Sequence, residues 1–304
     1  MITAPSPPLN PDPGPRLSPL GLGCVTFGRE IDQAASFAMM DHAWARGITV
    51  FDTAAAYADG ASERVVGAWL AARQPDPAAL VVATKLLPPY TPENIAASVA
   101  GSLARLGRAS LDLLFLHRWD ASAETPAALT ALDALVRTGK VRALGGSNFT
   151  AEQLALVLHQ QHALGLTPLR VLQNNHNLAI RGVDTELKQL CAAAGIAIMT
   201  FSPLGAGFLT GKHRAGVQPG SRFELIPGHQ PLYFQDAAFR RLARLEAVAA
   251  RTGRPQVELA LAWALHQPQI ATVLIGGRTP AQIDQAFAAA ALNDPLLLAE
   301  LEAE

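Results

Sequence analysis

LDLLFLH (111–117) runs apolar through Leu116 and then ends on a histidine. The same form recurs along the chain: LGLGCV (20–25), ITVFD (48–52), LVVATK (80–85), VRALGGSN (141–148), LRVLQ (169–173), IAIMTFS (196–202) and ATVLIGG (271–277). These are continuous apolar runs, not two-residue alternations, so they read as strands covered on both faces, as in a parallel sheet wrapped by helices. Helical stretches separate them: Asp32–Arg46, a helix with Ser62 as N-cap, Pro92–Leu106, 124–138, Ala151–Gln161, 183–193 and Pro280–Ala290. Eight such units predict an α/β fold, a (β/α)8 TIM barrel, better than a doubly wound sheet. Residues 203–270 are too long for one crossover, and their helical segments 236–251 and 255–266 put one extra helix between strands 7 and 8.

Composition narrows the function. With 50% hydrophobic and 16% charged residues, the chain can bury a large core and is not a disordered protein. Lys plus Arg is 24 against 25 for Asp plus Glu, which gives no electrostatic footprint for nucleic acid or an anionic membrane. Cys24 and Cys191 stand far apart, so neither a disulfide framework nor a metal site follows. No secretory signal or spanning segment shows, and the expectation is a cytoplasmic protein. Residues 1–17, rich in proline, read as a flexible tail before a single barrel domain over 18–304.

Function in such barrels collects at the C-terminal strand ends. There the sequence places Asp52, Lys85, His117, Ser147, Asn148, Gln173 and Ser202. Singly each has a bland reading: Asp52 caps a loop, Lys85 is a solvated charge, His117 is a bonded structural histidine. Together they mark an active site. Tyr57 follows Asp52 closely enough to reach the same mouth. A tyrosine ordinarily titrates near ~10, and a neighbouring ammonium favours its phenolate while a carboxylate holds that ammonium charged. Asp52, Lys85 and Tyr57 can therefore relay a proton, with His117 bonding the reacting oxygen. The set suits carbonyl reduction.

FDTAAAY (51–57), SERVVG (62–67), ATK (83–85), DLLFLHRWD (112–120), GKVRALGGSNF (139–149) and TFSPLGAGFLTGK (200–212) together resemble the aldo-keto reductase superfamily, over about residues 18–290. The resemblance implies the barrel and reduction of an aldehyde or ketone with NADPH (NADP+ on return), NADH being the alternative cofactor. It assigns Tyr57 as general acid, Asp52 and Lys85 as its tuners and His117 as the carbonyl-orienting group. It implies that Ser147, Asn148 and Gln173 hold the nicotinamide amide and that Phe201 stacks on its ring. By the same likeness Ser202, Leu204, Gly207 and Lys212 lie along the pyrophosphate, Arg222 and Arg278 meet the 2′-phosphate, and Gln282 meets the adenosine end.

Ala286 stands where many relatives have an adenine-reading asparagine, Gln285 replaces a common glutamate, and His176 takes a position that is often tyrosine. Val25, Phe27 and Trp119 are expected to wall the substrate, with Arg118 and residues 213–235 nearby. The short stretch after the eighth helix implies an open site. GAGFLTGK (205–212) lacks the P-loop spacing, and neither it nor GLGCVTFG (21–28) fits GxGxxG, so a kinase or a dinucleotide-binding doubly wound domain is unsupported. The expected partner is a small-molecule carbonyl compound, bound by a monomer or weak homo-oligomer. Rival readings are a cofactor-binding regulatory subunit with little turnover, an NAD(P)-linked sugar or alcohol dehydrogenase running oxidatively, and a Schiff-base aldolase on Lys85. The last is disfavoured because Asp52 raises the lysine's pKa rather than lowering it.

Overall fold

The computed structural model describes residues 15–302, so most of the tail expected over 1–17 lies outside the described residues. Eight strands among them close into a barrel: β1 (Leu20–Gly23), β2 (Val50–Asp52), β3 (Val81–Leu86), β4 (Leu111–Leu116), β5 (Val141–Ser147), β6 (Val171–Asn175), β7 (Ala197–Phe201) and β8 (Ile270–Ile275). Every neighbouring pair is parallel, and β1 closes on β8 with Leu22 opposite Ile275. This is the (β/α)8 barrel.

The lumen is packed. Val50, Ala83, Leu113, Phe115, Ala143, Val171, Met199 and Leu274 form one buried cluster inside the ring. Glycine makes room where the ring is crowded: a Cβ on Gly145 would lie 2.4 Å from the Phe115 ring, and one on Gly21 2.6 Å from Leu274. Side chains alternate along a strand, so the residues two beyond these lumen positions also point inward, at the C-terminal mouth. They are Asp52 after Val50, Lys85 after Ala83, His117 after Phe115, Gln173 after Val171 and Phe201 after Met199. Lys85 and Gln173 lie within β3 and β6, not just beyond them, because those strands run on to Leu86 and Asn175.

Around the barrel run α1 (Gln33–Ala45), α2 (Ala61–Arg73), α3 (Pro92–Leu106), α4 (Pro126–Arg137), α5 (Ala151–Ala163) and α6 (Thr185–Ala194). Then come α7 (Arg222–Leu225), α8 (Gln230–Tyr233), α9 (Asp236–Thr252), α10 (Gln256–Leu265), α11 (Pro280–Ala290) and α12 (Pro295–Glu302). Side-chain caps start many of them: Asp32, Thr91, Thr125 and Asp184 each accept a backbone N–H one turn on, and Thr150 with Gln153 forms a capping box.

Ser62 is not an N-cap. Gly60, at φ 77°, precedes α2, and Ser62 lies inside the helix with its buried hydroxyl 2.8 Å from the Cys24 carbonyl and 2.7 Å from Thr53 Oγ1. A sequence-local rule assigned the cap, but the hydroxyl serves two distant loops. In the long excursion after β7, α10 packs on β8 and α11 in the helical ring, which leaves α9 as the extra helix. α12 was not expected from the sequence. It folds back on α9 and α10, burying Leu297 and Leu301 beside Trp263, whose indole N–H donates to Glu302 at 2.6 Å. Among the described residues, no helix is long and apolar enough to cross a membrane.

Candidate active site

At the mouth of the barrel, Lys85 Nζ lies 2.5 Å from Asp52 Oδ2, 2.9 Å from the Thr53 carbonyl and 3.2 Å from Tyr57 Oη. Lys85 is 1% exposed and Asp52 2%, so the pair is shielded from solvent. Gln173 Nε2 donates to the other Asp52 oxygen at 2.8 Å. The carboxylate is thus bound on both oxygens and aimed at Lys85. His117 meets the Tyr57 ring edge to face, centroids 5.7 Å apart. Four of the residues anticipated from the sequence are brought together here, and Gln173 joins them by a hydrogen bond from its side-chain amide that the sequence did not indicate.

The electrostatics follow from burial and from these partners. Burial works to strip Lys85 of its proton, yet the Asp52 carboxylate and the Tyr57 oxygen hold its ammonium above the usual lysine range. For Tyr57, burial raises the phenol pKa more than the Lys85 charge lowers it, and Asp52 adds to the rise. The Lys85 ammonium does favour the phenolate, as the sequence implies, but desolvation outweighs it, so the phenol keeps its proton at neutral pH, which suits a group that donates one. Burial, with the Lys85 and Arg118 charges, pushes His117 down to about 3, so its imidazole is neutral. Its Nδ1 is buried without a hydrogen-bond partner among the described residues.

The other anticipated residues ring this centre. Ser147 ends β5, and Asn148 follows in a left-handed conformation (φ 59°), its amide nitrogen 3.0 Å from the His117 carbonyl and 3.1 Å from Ser147 Oγ. Phe201 ends β7, half-buried beside the mouth. From Ser202 the chain turns sharply, and Ser202, Gly205, Ala206 and Gly207 all have positive φ. Leu204 packs beneath this turn. A Cβ on Gly207 would fall 3.2 Å from Lys212 Cε and 3.4 Å from its Nζ, so glycine is what lets the lysine stem and its ammonium lie directly against this turn.

Arg278 sits on the loop after β8 with its guanidinium 3.4 Å from the Gly220 carbonyl. Gln282 Oε1 accepts from the backbone N–H of Arg278 at 2.6 Å and of Thr279 at 3.2 Å, bracing that loop. Gln285 is exposed, whereas Ala286 is fully buried under α11 and offers nothing to a ligand. Trp119 packs edge-on against Phe149 at 5.5 Å on the rim, and Val25 is half-buried in the β1 loop. Phe27 is elsewhere: it is fully buried in the core cluster between barrel and helices, so it cannot wall a pocket.

Sequence reading also missed an ionic group at this end. Arg29 and Arg222 both reach the Glu30 carboxylate, and His229 lies within their field. Neither RE (29–30) nor His229 carries a pattern of its own, so only the fold reveals them. At the opposite end of the barrel a cavity of about 770 Å³ opens between Val81, Asp112, Arg142 and Arg170. Asp112 is already bonded there by Arg108 and Arg142, and the groups able to move a proton lie at the other mouth.

The model of the aldo/keto reductase family matches residues 19–296. The chain belongs to the aldo/keto reductase family. It is 31% identical to norsolorinic acid reductase A of Aspergillus parasiticus, over 91% of this chain and 77% of that protein. It is 30% identical to protein tas of Escherichia coli, over 88% of each. It is 28% identical to a probable voltage-gated potassium channel subunit beta of Arabidopsis thaliana, over 95% of this chain and 93% of the plant protein. Membership in the aldo/keto reductase family accords with the closed barrel and with the polar cluster at its C-terminal mouth.

Proposed function

We propose that this aldo/keto reductase reduces an aldehyde or ketone with NADPH, Tyr57 donating the proton. The observation that carries the reading is the chain of contacts from Gln173 through Asp52 and Lys85 to the Tyr57 hydroxyl, all at hydrogen-bond distance in a buried site. The fit to a dinucleotide rests on the Lys212 ammonium lying against the Gly207 turn, on the half-buried Phe201 face and on the cations Arg222 and Arg278. When bound, the reduced dinucleotide supplies hydride.

This chain's residues do the rest. Neutral His117 and the protonated phenol of Tyr57 converge where a carbonyl oxygen would be held, so charge developing on that oxygen meets donors already in place. Tyr57 gives its proton to the oxygen, and the adjacent Lys85 ammonium stabilises the phenolate left behind. Asp52 keeps Lys85 charged and oriented, and Gln173 keeps Asp52 in register. The protein is expected to act in the cytoplasm as a monomer or weak oligomer.

The name of the Arabidopsis relative supports a second reading, a cofactor-binding regulatory subunit with little turnover. Fluorescence titration with NADPH and NADH, followed by loss of reduced-nicotinamide absorbance with a panel of carbonyl compounds, separates the two. Tight binding with turnover supports the reductase. Tight binding without turnover in either direction supports the regulatory reading, and no binding removes both.

A further inference from the structure

The Lys85 ammonium carries three protons and has three acceptors around it: Asp52 Oδ2, the Thr53 carbonyl and Tyr57 Oη. The contact with Tyr57 is the longest, and its direction is set once the other two acceptors are fixed. Asp52 is braced by Gln173 on its second oxygen. Thr53 has a brace of its own, on the opposite side of the strand.

Thr53 extends the β2 ladder by one residue, its N–H donating to the Ala83 carbonyl at 2.8 Å. Strand alternation turns its side chain away from that of Asp52. Its hydroxyl, fully buried, lies 2.7 Å from Ser62 Oγ. Ser62 is fully buried too, and gives its one hydroxyl proton to the Cys24 carbonyl at 2.8 Å, so Thr53 is the donor of the pair. Cys24 in turn donates its N–H to the Asp52 carbonyl at 2.8 Å, and the Ser62 N–H meets the Tyr57 carbonyl at 3.4 Å. The next residue of α2 acts alike on β3: the Glu63 carboxylate accepts from the hydroxyl of Thr84, the neighbour of Lys85, at 2.5 Å. The first turn of α2 therefore grips the chain beside Asp52, beside Lys85 and at Tyr57. A serine needed only to fill this space would be served by alanine, which buries no polar atom.

We propose that Ser62 is a positioning residue for the reaction: through Thr53 it fixes the carbonyl that, with Asp52, aims the Lys85 ammonium at the Tyr57 hydroxyl. The inference rests on the reductase reading above. It adds a residue that meets neither substrate nor cofactor. Ser62→Ala keeps the main-chain bond to Tyr57 and removes the hydroxyl alone, so the Thr53 carbonyl loosens and the third ammonium proton is held less firmly on the phenol oxygen.

Steady-state reduction of 4-nitrobenzaldehyde with NADPH by the full chain tests it, alongside fluorescence titration of NADPH. Ser62→Ala should lower kcat roughly five- to tenfold, the size of one net hydrogen bond, and leave the aldehyde KM and the NADPH Kd within about twofold of the parent. Thr53→Val removes the partner hydroxyl at nearly the same shape and should show the same split. Thr53→Ser keeps the hydroxyl and should regain most of the lost kcat. Ser62→Ala combined with Thr53→Val should lose no more than either alone, because both break one bond. Unchanged kcat in Ser62→Ala would overturn the proposal. So would kcat, KM and Kd worsening together, or Thr53→Ser falling as far as Thr53→Val, since these report packing alone. Should Ser62→Ala not fold, the two Thr53 variants decide by themselves. A parent that oxidises NADPH with neither this aldehyde nor any compound of the carbonyl panel would instead sink the reductase reading, and this inference with it.

Discussion

Arg222 Nη1 lies 3.4 Å from Glu30 Oε1, joining the start of α7 to the loop after β1, 192 residues away in the chain. Arg29 grips the same carboxylate at 2.7 Å and 2.8 Å, and Glu30's side chain is 3% exposed. Burial alone would raise the Glu30 pKa, but the two guanidinium groups hold it below the usual carboxylate range. An arginine expected to meet a 2′-phosphate is thus already matched by an internal anion. Glu30→Gln should therefore raise affinity for NADPH relative to NADH about fivefold, the size of one removed like-charge contact near a surface. Parallel fluorescence titrations with the two cofactors check it, and an unchanged ratio would show that Glu30 does not compete for Arg222.

Among the described residues, Arg278 shows no carboxylate contact of this kind; its guanidinium donates to the Gly220 carbonyl. Arg278→Ala should weaken NADPH roughly tenfold or more and NADH little, because only the former carries the dianion a fork of donors matches. Equal losses for both cofactors would remove Arg278 from the 2′-phosphate site.

Stability has its own buried charge. Glu63 is fully buried on α2, its carboxylate 2.5 Å from Thr84 Oγ1 on β3 and 2.6 Å from Arg105 Nε on α3. Glu63→Ala leaves Arg105 and Thr84 without this partner and should cost about 3–5 kcal/mol, whereas Glu63→Gln keeps a Thr84 partner and should cost less. Urea unfolding midpoints of the two variants would check the order. A harmless alanine would mean the pair only breaks even.

Much of this was legible because the barrel puts chemistry at one predictable place. Asp52, Lys85 and His117 end apolar runs, and strand parity alone turns them inward above Val50, Ala83 and Phe115. Local rules failed where a side chain answers to something remote. Ser62 reads as a cap until Cys24 and Thr53 are beside it. Phe27 reads as a pocket wall until β1 ends at Gly23 and the loop buries the ring. Glu30 with Arg222 is a pairing made by the β7–β8 excursion, whose path no periodicity specifies. The direction of the Tyr57 shift was also hidden, since desolvation depends on what the folded barrel packs around the phenol and outweighs the neighbouring ammonium.

His176 gives a pH-dependent stability. Burial first, then the Lys188 and Arg181 charges, push it down to about 4 from an ordinary 6.5, with Gln267 pulling the other way. A depressed histidine takes up its proton in the unfolded chain before the folded one. Stability is therefore unaffected above pH 6.5 and is lost as pH falls toward 4. Between neutral pH and about 4.5 this one ring should cost on the order of 2–3 kcal/mol. In His176→Gln that extra loss should vanish, so denaturant midpoints at the two pH values should lie closer together than in the parent. The same gap in both proteins would place the acid sensitivity elsewhere.

Tyr57 is the sharpest test. Tyr57→Phe removes the proton donor while leaving the ring against His117, so cofactor affinity should hold and turnover fall by roughly 10²–10⁴, as for a general acid. The raised phenol pKa also fixes the shape of the pH profiles. Reduction consumes the phenol form, which is fully populated at neutral pH, so its rate should stay flat from acid to mildly alkaline conditions. Alcohol oxidation needs the phenolate, so its rate should climb steadily with pH through the same range. Initial rates in both directions across pH would decide: a reduction rate that falls on leaving neutrality toward alkali would mean that Tyr57 titrates lower than its burial dictates, or that another group gives the proton.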